Sequence, residues 1–381
     1  VQLKRAHGAA FTLALSALCA TRARAASVAE EASLYSMFRL FTDSGGVRVR
    51  AMSGDYSAPL GHGAEALSLH WNNEQVTIPA IAAPAGSQDA IDAITTASRP
   101  IEGNAFEDYV KTRNELTAEV DRSHAGAEYY VSREVDYLGQ QLGVHTDRDF
   151  RDQTLNLAVS TSYGWDAITP LADERSASVR QHKNTLHGSV VATQVLSPTT
   201  LVRGGIEVFH VEGLQHNIYR NVYAGGTRVP ERHPSTRERR DAFVKLSHYM
   251  ANRSSIKADY RLYNDDWGIT SHELSADLSQ YVTHALSTSW EYRWYTQGKA
   301  DFYAPEYGNA NGIGGYRTAD YRMNDLASHL FGVSLHLDMD GFAAAHPHLG
   351  APALWLHYER YFNSNNYSAN ILETGLELRF Q

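Results

Sequence analysis

The chain has 381 residues, a formal net charge of −9, 22 Tyr, 28 Gly and one Cys. The negative balance disfavours nucleic acid as a partner, one Cys excludes a disulfide framework and Cys-ligated zinc, and without a Walker A loop or a Gly-x-Gly-x-x-Gly after a strand a nucleotide-dependent enzyme is unsupported. Charged residues are only 20% of a Tyr- and Gly-rich chain, a composition that suits one large β architecture.

In chain order, Leu3-Lys4-Arg5 and the apolar stretch from Ala9 to Ala20 form the basic start and short hydrophobic run of a secretory signal. The run is too short to span a bilayer as a helix. Ala23-Arg24-Ala25 supplies a small-x-small cleavage pattern, so residues 1–25 are expected to leave and 26–381 to form the mature domain. Cys19 leaves with the signal, and Ser16 and Leu18 before it argue against lipid attachment. Removing Lys4, Arg5, Arg22 and Arg24 takes the charge to about −13. Beyond the signal no apolar run approaches the length of a transmembrane helix.

What repeats instead is period-two alternation over about ten residues. Tyr129, Val131, Arg133, Val135 and Tyr137 form the first such face, with Arg133 placed awkwardly toward lipid, where mid-bilayer Arg costs roughly 2–4 kcal/mol. Leu155, Leu157, Val159, Thr161, Tyr163 and Trp165 form the next. Ile256, Ala258, Tyr260 and Leu262 alternate with Lys257, Asp259, Arg261 and Tyr263; Leu286 to Trp294 alternates with Ser287, Ser289, Glu291, Arg293 and Tyr295. Near the end, Phe331 to Met339 alternates with Gly332, Ser334, His336 and Asp338, and Leu372 to Phe380 with Glu373, Gly375, Glu377 and Arg379.

Such faces suit a sandwich or a barrel. The strands match the 9–11 residues of a tilted membrane strand, and their apolar faces end in Tyr or Trp, as an aromatic girdle requires. Short links at 58–63, 124–126, 151–153, 197–199, 251–255 and 282–285, with a longer one at 340–351, alternate with mostly long links at 79–109, 169–182, 213–239, 297–326 and 363–370. Short periplasmic turns and long extracellular loops are the habit of outer-membrane barrels. The expectation is an all-β, transmembrane, antiparallel up-and-down barrel of about sixteen strands with both termini in the periplasm.

The polar faces of such a barrel collect Lys245, Lys257, Asp259, Arg261, Asp277, Glu291 and Arg293 as candidates for lumen selectivity. Charges of both signs across a lumen set a field that selects solutes, or they pair and fill it. Eighteen His invite a metal reading, above all His346-Pro347-His348 with Asp338 and Asp340. A ligand set needs three or four converging donors, so a hydrated turn is preferred and no metal or cofactor is assigned. His187 and Ser189 are two apart on one strand, whereas a nucleophile and its base need contact, so no enzyme is expected. The loop from Gly308 to Asp325, with the neighbouring Tyr307, has the composition of a mobile binding loop, and Tyr307, Tyr316, Asp320 and Asp325 are its candidates. The basic loop Tyr223 to Arg240, with Arg228, Arg232, Arg237, Arg239 and Arg240, suits either lipopolysaccharide phosphates or plain solvation.

Tyr263-Asn264-Asp265-Asp266-Trp267-Gly268-Ile269, Tyr295-Thr296-Gln297 with Ala300-Asp301-Phe302-Tyr303, and Tyr358-Glu359-Arg360-Tyr361 resemble segments of a family of proteobacterial outer-membrane barrels known as a domain of unknown function. The resemblance runs from about residue 34 to the C-terminus. It implies a setting beside a periplasmic flavin transferase, a thioredoxin-like protein and a small lipoprotein, hence a periplasmic redox partner, and it carries no catalytic residues. The chain also resembles outer-membrane barrels in ending on an aromatic residue read by the insertion machinery, displaced here because Gln381 follows Phe380. The expected function is a channel for small polar solutes or ions in a Gram-negative outer membrane, in contact with lipid and lipopolysaccharide. The alternatives are a closed scaffold barrel serving that periplasmic partner and, third, an outer-membrane hydrolase.

Overall fold

The computed structural model describes residues 32–60, 65–79, 108–171, 179–339, 341 and 352–380. The expected signal peptide and the His346-Pro347-His348 turn lie outside the described residues. The strands are β1 (Ala32–Asp43), β2 (Arg48–Pro59), β3 (Glu65–Ile78), β4 (Tyr109–Arg122), β5 (Ala125–Arg133), β6 (Tyr137–Phe150), β7 (Leu155–Ile168), β8 (Gln181–Ser197) and β9 (Thr200–Gly213). They continue as β10 (Asn221–Ala224), β11 (Thr227–Pro230), β12 (Thr236–Tyr249), β13 (Ser254–Asp265), β14 (Thr270–Tyr281), β15 (Leu286–Gln297), β16 (Leu326–Asp338), β17 (Ala353–Asn363) and β18 (Ser368–Phe380).

Sixteen of these close into one antiparallel barrel in which each strand pairs with its neighbour in sequence, β9 passing to β12 and β1 pairing with β18. The short hairpin β10–β11 stands apart from the barrel wall. Closure satisfies every strand's backbone groups laterally and leaves no edge, the condition for strands to cross a membrane.

The alternating faces sort as the sequence predicts. Exposed outward side chains include Met52, Leu116, Leu142, Val144, Val159, Val190, Ile206, Val208, Leu274, Trp290, Phe331 and Leu356. An apolar belt on this scale belongs in lipid, because soluble monomers do not leave such a surface uncovered. Toward the long-loop end the belt ends in tyrosines whose hydroxyls are satisfied across strands: Tyr260 with His272 Nδ1 at 2.8 Å, Tyr292 with His329 Nδ1 at 2.9 Å, and Tyr358 donating to Asn370 at 2.8 Å. Toward the short-turn end, Phe150 ends the outward face of β6, while Tyr249 and Tyr281 stand on the lumen side of β12 and β14.

Arg133 resolves by strand length. It is the last residue of β5, paired with Asn114 and Leu138 at the long-loop end, so its charge sits at the polar rim of the belt rather than in the bilayer centre. Val135 belongs to the following turn, which cuts the expected strand short.

The connections split as expected. Links 123–124, 151–154, 198–199, 250–253 and 282–285 lie at the end shared with the termini, and 214–235 and 298–325 lie at the other. The long-loop end also carries tight turns at 44–47, 134–136, 266–269 and 364–367, the last replacing the long link expected at 363–370, so decoration there is concentrated in a few loops.

Candidate functional site

The lumen changes character along its length. On β4, Arg113 and Glu115 are buried while Glu119 and Asp121 nearer the short-turn end are half-buried. On β13 the inward series passes from buried Asp265 and Arg261 through half-buried Asp259 to exposed Lys257, and on β14 from buried Ser271 and Glu273 to half-buried Asp277. The barrel interior is therefore filled toward the long loops and open to solvent toward the short turns.

All seven predicted lumen charges face inward, in different circumstances. Lys245 Nζ lies 4.0 Å from Asp259, and Lys257, Asp277 and Glu291 stand in one row across β13, β14 and β15. Arg293 stands opposite Ser275. Arg261 is committed to structure: it is buried, pairs with Asp241 at 2.9 Å and lies over the Phe243 ring at 5.2 Å.

What fills the upper lumen is an ion-paired network and a folded loop. Lys111 Nζ reaches Glu134 at 2.8 Å and Asp136 at 2.7 Å, and Lys183 reaches Asp166 at 2.7 Å. Tyr219, from the 214–235 loop, donates to Asp136 at 2.8 Å, tying that loop to the β5–β6 turn.

The loop 298–325 is built around Tyr307. Its hydroxyl donates to the carbonyl of Phe302 at 2.6 Å and accepts from the Thr318 amide at 2.7 Å, clamping both halves of the loop. The Tyr307 backbone also bonds the β10–β11 hairpin, to Tyr223 and Gly225. Phe302 and Ala300 pack with Trp267 and Ile269 from the β13–β14 turn in a small apolar core. Farther on, the loop forms a single 3-10 turn, Tyr321–Met323, and the Tyr321 ring meets Tyr367 with centroids 6.0 Å apart. Tyr367 belongs to an apolar patch of Phe41, Val47, Val49, Val76, Ile78 and Ile371 on the inner wall. Such a wall is tolerable inside a polar lumen only when covered, each buried aliphatic side chain then contributing roughly 1.5–3 kcal/mol.

Two loops are joined at Asp320, which is 1% exposed. Its carboxylate takes Arg220 Nη1 at 2.6 Å and Arg322 Nε at 2.8 Å. Burial raises the pKa of Asp320, but the two guanidinium groups outweigh it and hold the carboxyl well below its ordinary range. Beside it, Glu231 accepts from the Thr318 hydroxyl at 2.8 Å. Burial pushes Glu231 up to about 7, against the partial relief of Arg220 and reinforced by Asp320. His233, set among Trp267 and Phe302, is pushed down to about 3 by burial and is neutral, so its 3.8 Å approach to Glu231 is not an ion pair.

This corrects the expectation of a mobile binding loop. Tyr307 and Asp320 are buried scaffold, Tyr316 is half-buried against Phe302 at 6.0 Å, and of the four candidates only Asp325 remains exposed. The sequence signal that was available is the pairing of Tyr and Asp with several glycines: Gly312, Gly314 and Gly315 all have positive φ, so they serve a tightly turned tip of an otherwise packed loop. The basic loop is corrected in part. Arg237 is buried, bonded to Asp265 and lying over the Trp267 ring at 4.2 Å, which leaves Arg232 and Arg240 as its exposed cations.

His187 and Ser189 make no contact with each other: His187 stacks on Phe209 and lies 3.6 Å from Glu207, and Ser189 bonds Ser160. A Ser–His contact does occur elsewhere, between Ser334 Oγ and His357 Nδ1 at 2.6 Å, with His357 Nε2 2.9 Å from Glu359. It faces the lumen in mid-strand, where the β16 backbone pairs on both sides and offers no spare amides as an oxyanion hole.

The chain is similar in its barrel to solved outer-membrane proteins. Pseudomonas aeruginosa OccK8 (OprE) is 9% identical, with 92% of this chain and 98% of that one covered and a TM-score of 0.40. The outer membrane protein opdK of the same organism is 7% identical, with 92% and 99% covered and a TM-score of 0.39. A loop-deleted OmpT of Vibrio cholerae is 9% identical, with 92% and 99% covered and a TM-score of 0.41. No curated protein sequence matches the chain. A family model does match over residues 64–347, and on that match the chain belongs to the family described as protein of unknown function DUF3570.

Proposed function

We propose that the protein is an outer-membrane channel for small polar solutes or ions whose resting state is closed by its own 298–325 loop. The observation that carries the reading is the division of the lumen: inward charges of both signs are half-buried or exposed toward the short-turn end and buried toward the other, where wall ion pairs and the packed 214–235 and 298–325 loops lie. Sixteen strands enclose a cross-section wide enough for water, so shutting it requires an inserted segment. Among the described residues no nucleophile stands beside an oxyanion hole, and neither catalysis nor a cofactor enters the proposal. Contacts are with lipid through the apolar belt, with lipopolysaccharide through Arg232 and Arg240, and with the insertion machinery through β18.

Single-channel recording in a planar bilayer tests it, on barrel shown to be folded by its heat-dependent gel mobility. The native protein should open rarely, and a variant lacking residues 303–319 should conduct continuously. Charge reversal at Asp259 and Lys257 should then move the ion selectivity in opposite directions. A loop-deleted, folded barrel that passes no current would instead favour the second reading, a closed scaffold whose open end serves a periplasmic partner of redox type. The burial of so many ion pairs at the outer end is the observation favouring it.

A further inference from the structure

We propose that the lumen wall carries a transition-metal site formed by Glu291, His357 and Glu359. The three lie on β15 and β17, the two strands flanking β16, and one ligand atom from each falls within 4.8 Å of the others. Three features distinguish the group from an ordinary patch of acids.

The first is the residue between them. In the ladder Glu291 pairs with Gly332, and Gly332 with Glu359, so the two carboxylates meet across a position with no side chain. A Cβ there would stand 3.2 Å from Glu291 Cβ, 3.3 Å from His357 Cε1 and 3.4 Å from Glu291 Oε2, filling the space in which the donors converge. The second is the orientation of the imidazole. Ser334 Oγ engages Nδ1 at 2.6 Å, which fixes the ring and turns Nε2 toward the carboxylates, the outer-shell arrangement that metal-bound histidines use. The third is Glu291 itself, half-buried, with no hydrogen bond or ion pair among the described residues.

One imidazole and two carboxylates with room for water suit a borderline divalent ion such as Zn²⁺, at distances of about 2.0–2.2 Å. The construction repeats on the other wall, where Asp121 and His145 face each other across Gly126, with Glu119 beside them. That group is more exposed, and it must be silenced to read the first one cleanly.

The test is Zn²⁺ titration by calorimetry on folded, chelator-stripped barrel in detergent, in a His145→Ala background. One equivalent should bind, and His357→Ala or Glu291→Gln should weaken it at least tenfold. Gly332→Ala keeps every donor and should weaken binding comparably, which separates a built site from stray surface histidines. Gel mobility reports whether each variant is folded. Equal Zn²⁺ affinity with and without His357 in folded protein overturns the proposal. Labelling of Ser334 by a fluorophosphonate also overturns it, because Ser334, His357 and Glu359 would then be a hydrolytic triad.

Discussion

Arg220 and Asp320 meet at 2.6 Å although they stand on separate loops, one between β9 and β12 and the other between β15 and β16. The pair ties two connections at the long-loop end into one cover. Removing one partner of a buried pair strands the other, which costs about 3–5 kcal/mol. Asp320→Ala is therefore expected to release the cover while leaving the barrel wall folded. Trypsin should then cut at Arg317 or Arg322 in barrel that still shows heat-dependent gel mobility. Resistance equal to the native protein would mean that the apolar contacts of Phe302 and Tyr307 hold the loop alone.

The same cover should depend on pH through Glu231. Its folded pKa is raised above the unfolded carboxyl value of 4.5, so the closed state binds a proton that the released state does not. The cover is thus most stable below about 4.5 on this account and loses stability as pH rises toward about 7. Asp320 acts oppositely, its contribution being lost only on acidification below the ordinary Asp range. Trypsin release rates measured between pH 5 and 8 should rise with pH after correction for the protease's own profile. Glu231→Gln should flatten that rise, and an unchanged slope would assign the titration to another group.

Much of the barrel was legible because one physical rule repeats in every strand. Ile256, Ala258, Tyr260 and Leu262 meet lipid and Lys257, Asp259 and Arg261 meet the lumen, and no other fold places a ten-residue alternation so consistently with these loop lengths. The cover was not legible, because burial of polar loop residues comes from contacts distant in sequence. Nothing near Asp320 announces that Arg220 will face it. Gly332 was likewise read as one more inward residue, since its meaning lies in strands β15 and β17 on either side. The family-like stretch from Tyr263 to Ile269 was visible as a resemblance before its physical role was.

That role is a turn held by one carboxylate. Asp265 Oδ1 accepts the amides of Trp267 at 3.0 Å and Ile269 at 2.9 Å, while Oδ2 takes Tyr263 Oη at 2.8 Å and Arg237 Nε at 2.9 Å. Gly268 between them has φ of +89° and abuts the Asp301 carboxylate. Asp265→Ala should cost about 3–5 kcal/mol as a broken buried network, and Gly268→Ala about 1–3 kcal/mol as strain. Both should lower the temperature at which the barrel loses its compact gel mobility, Asp265→Ala the more. The reverse order would locate the turn's stability in its backbone rather than in the carboxylate.

The closure seam between β18 and β1 depends on a glycine beneath an indole. Trp355 faces the lumen on β17, stacks on Tyr35 with centroids 5.7 Å apart and planes 5° apart, and lies directly over Gly375. A methyl group at Gly375 would overlap the indole, and crowding of this kind costs typically 1–3 kcal/mol. Because Tyr35 belongs to β1 and Gly375 to β18, the displaced ring disturbs the two strands that close the barrel. Gly375→Ala should therefore slow refolding into detergent micelles and lower the melting temperature. Trp355→Ala removes the obstruction, so the double variant should recover most of the loss caused by Gly375→Ala within the Trp355→Ala background. Additive losses in that double-mutant cycle would show that Gly375 matters through its own backbone and not through Trp355.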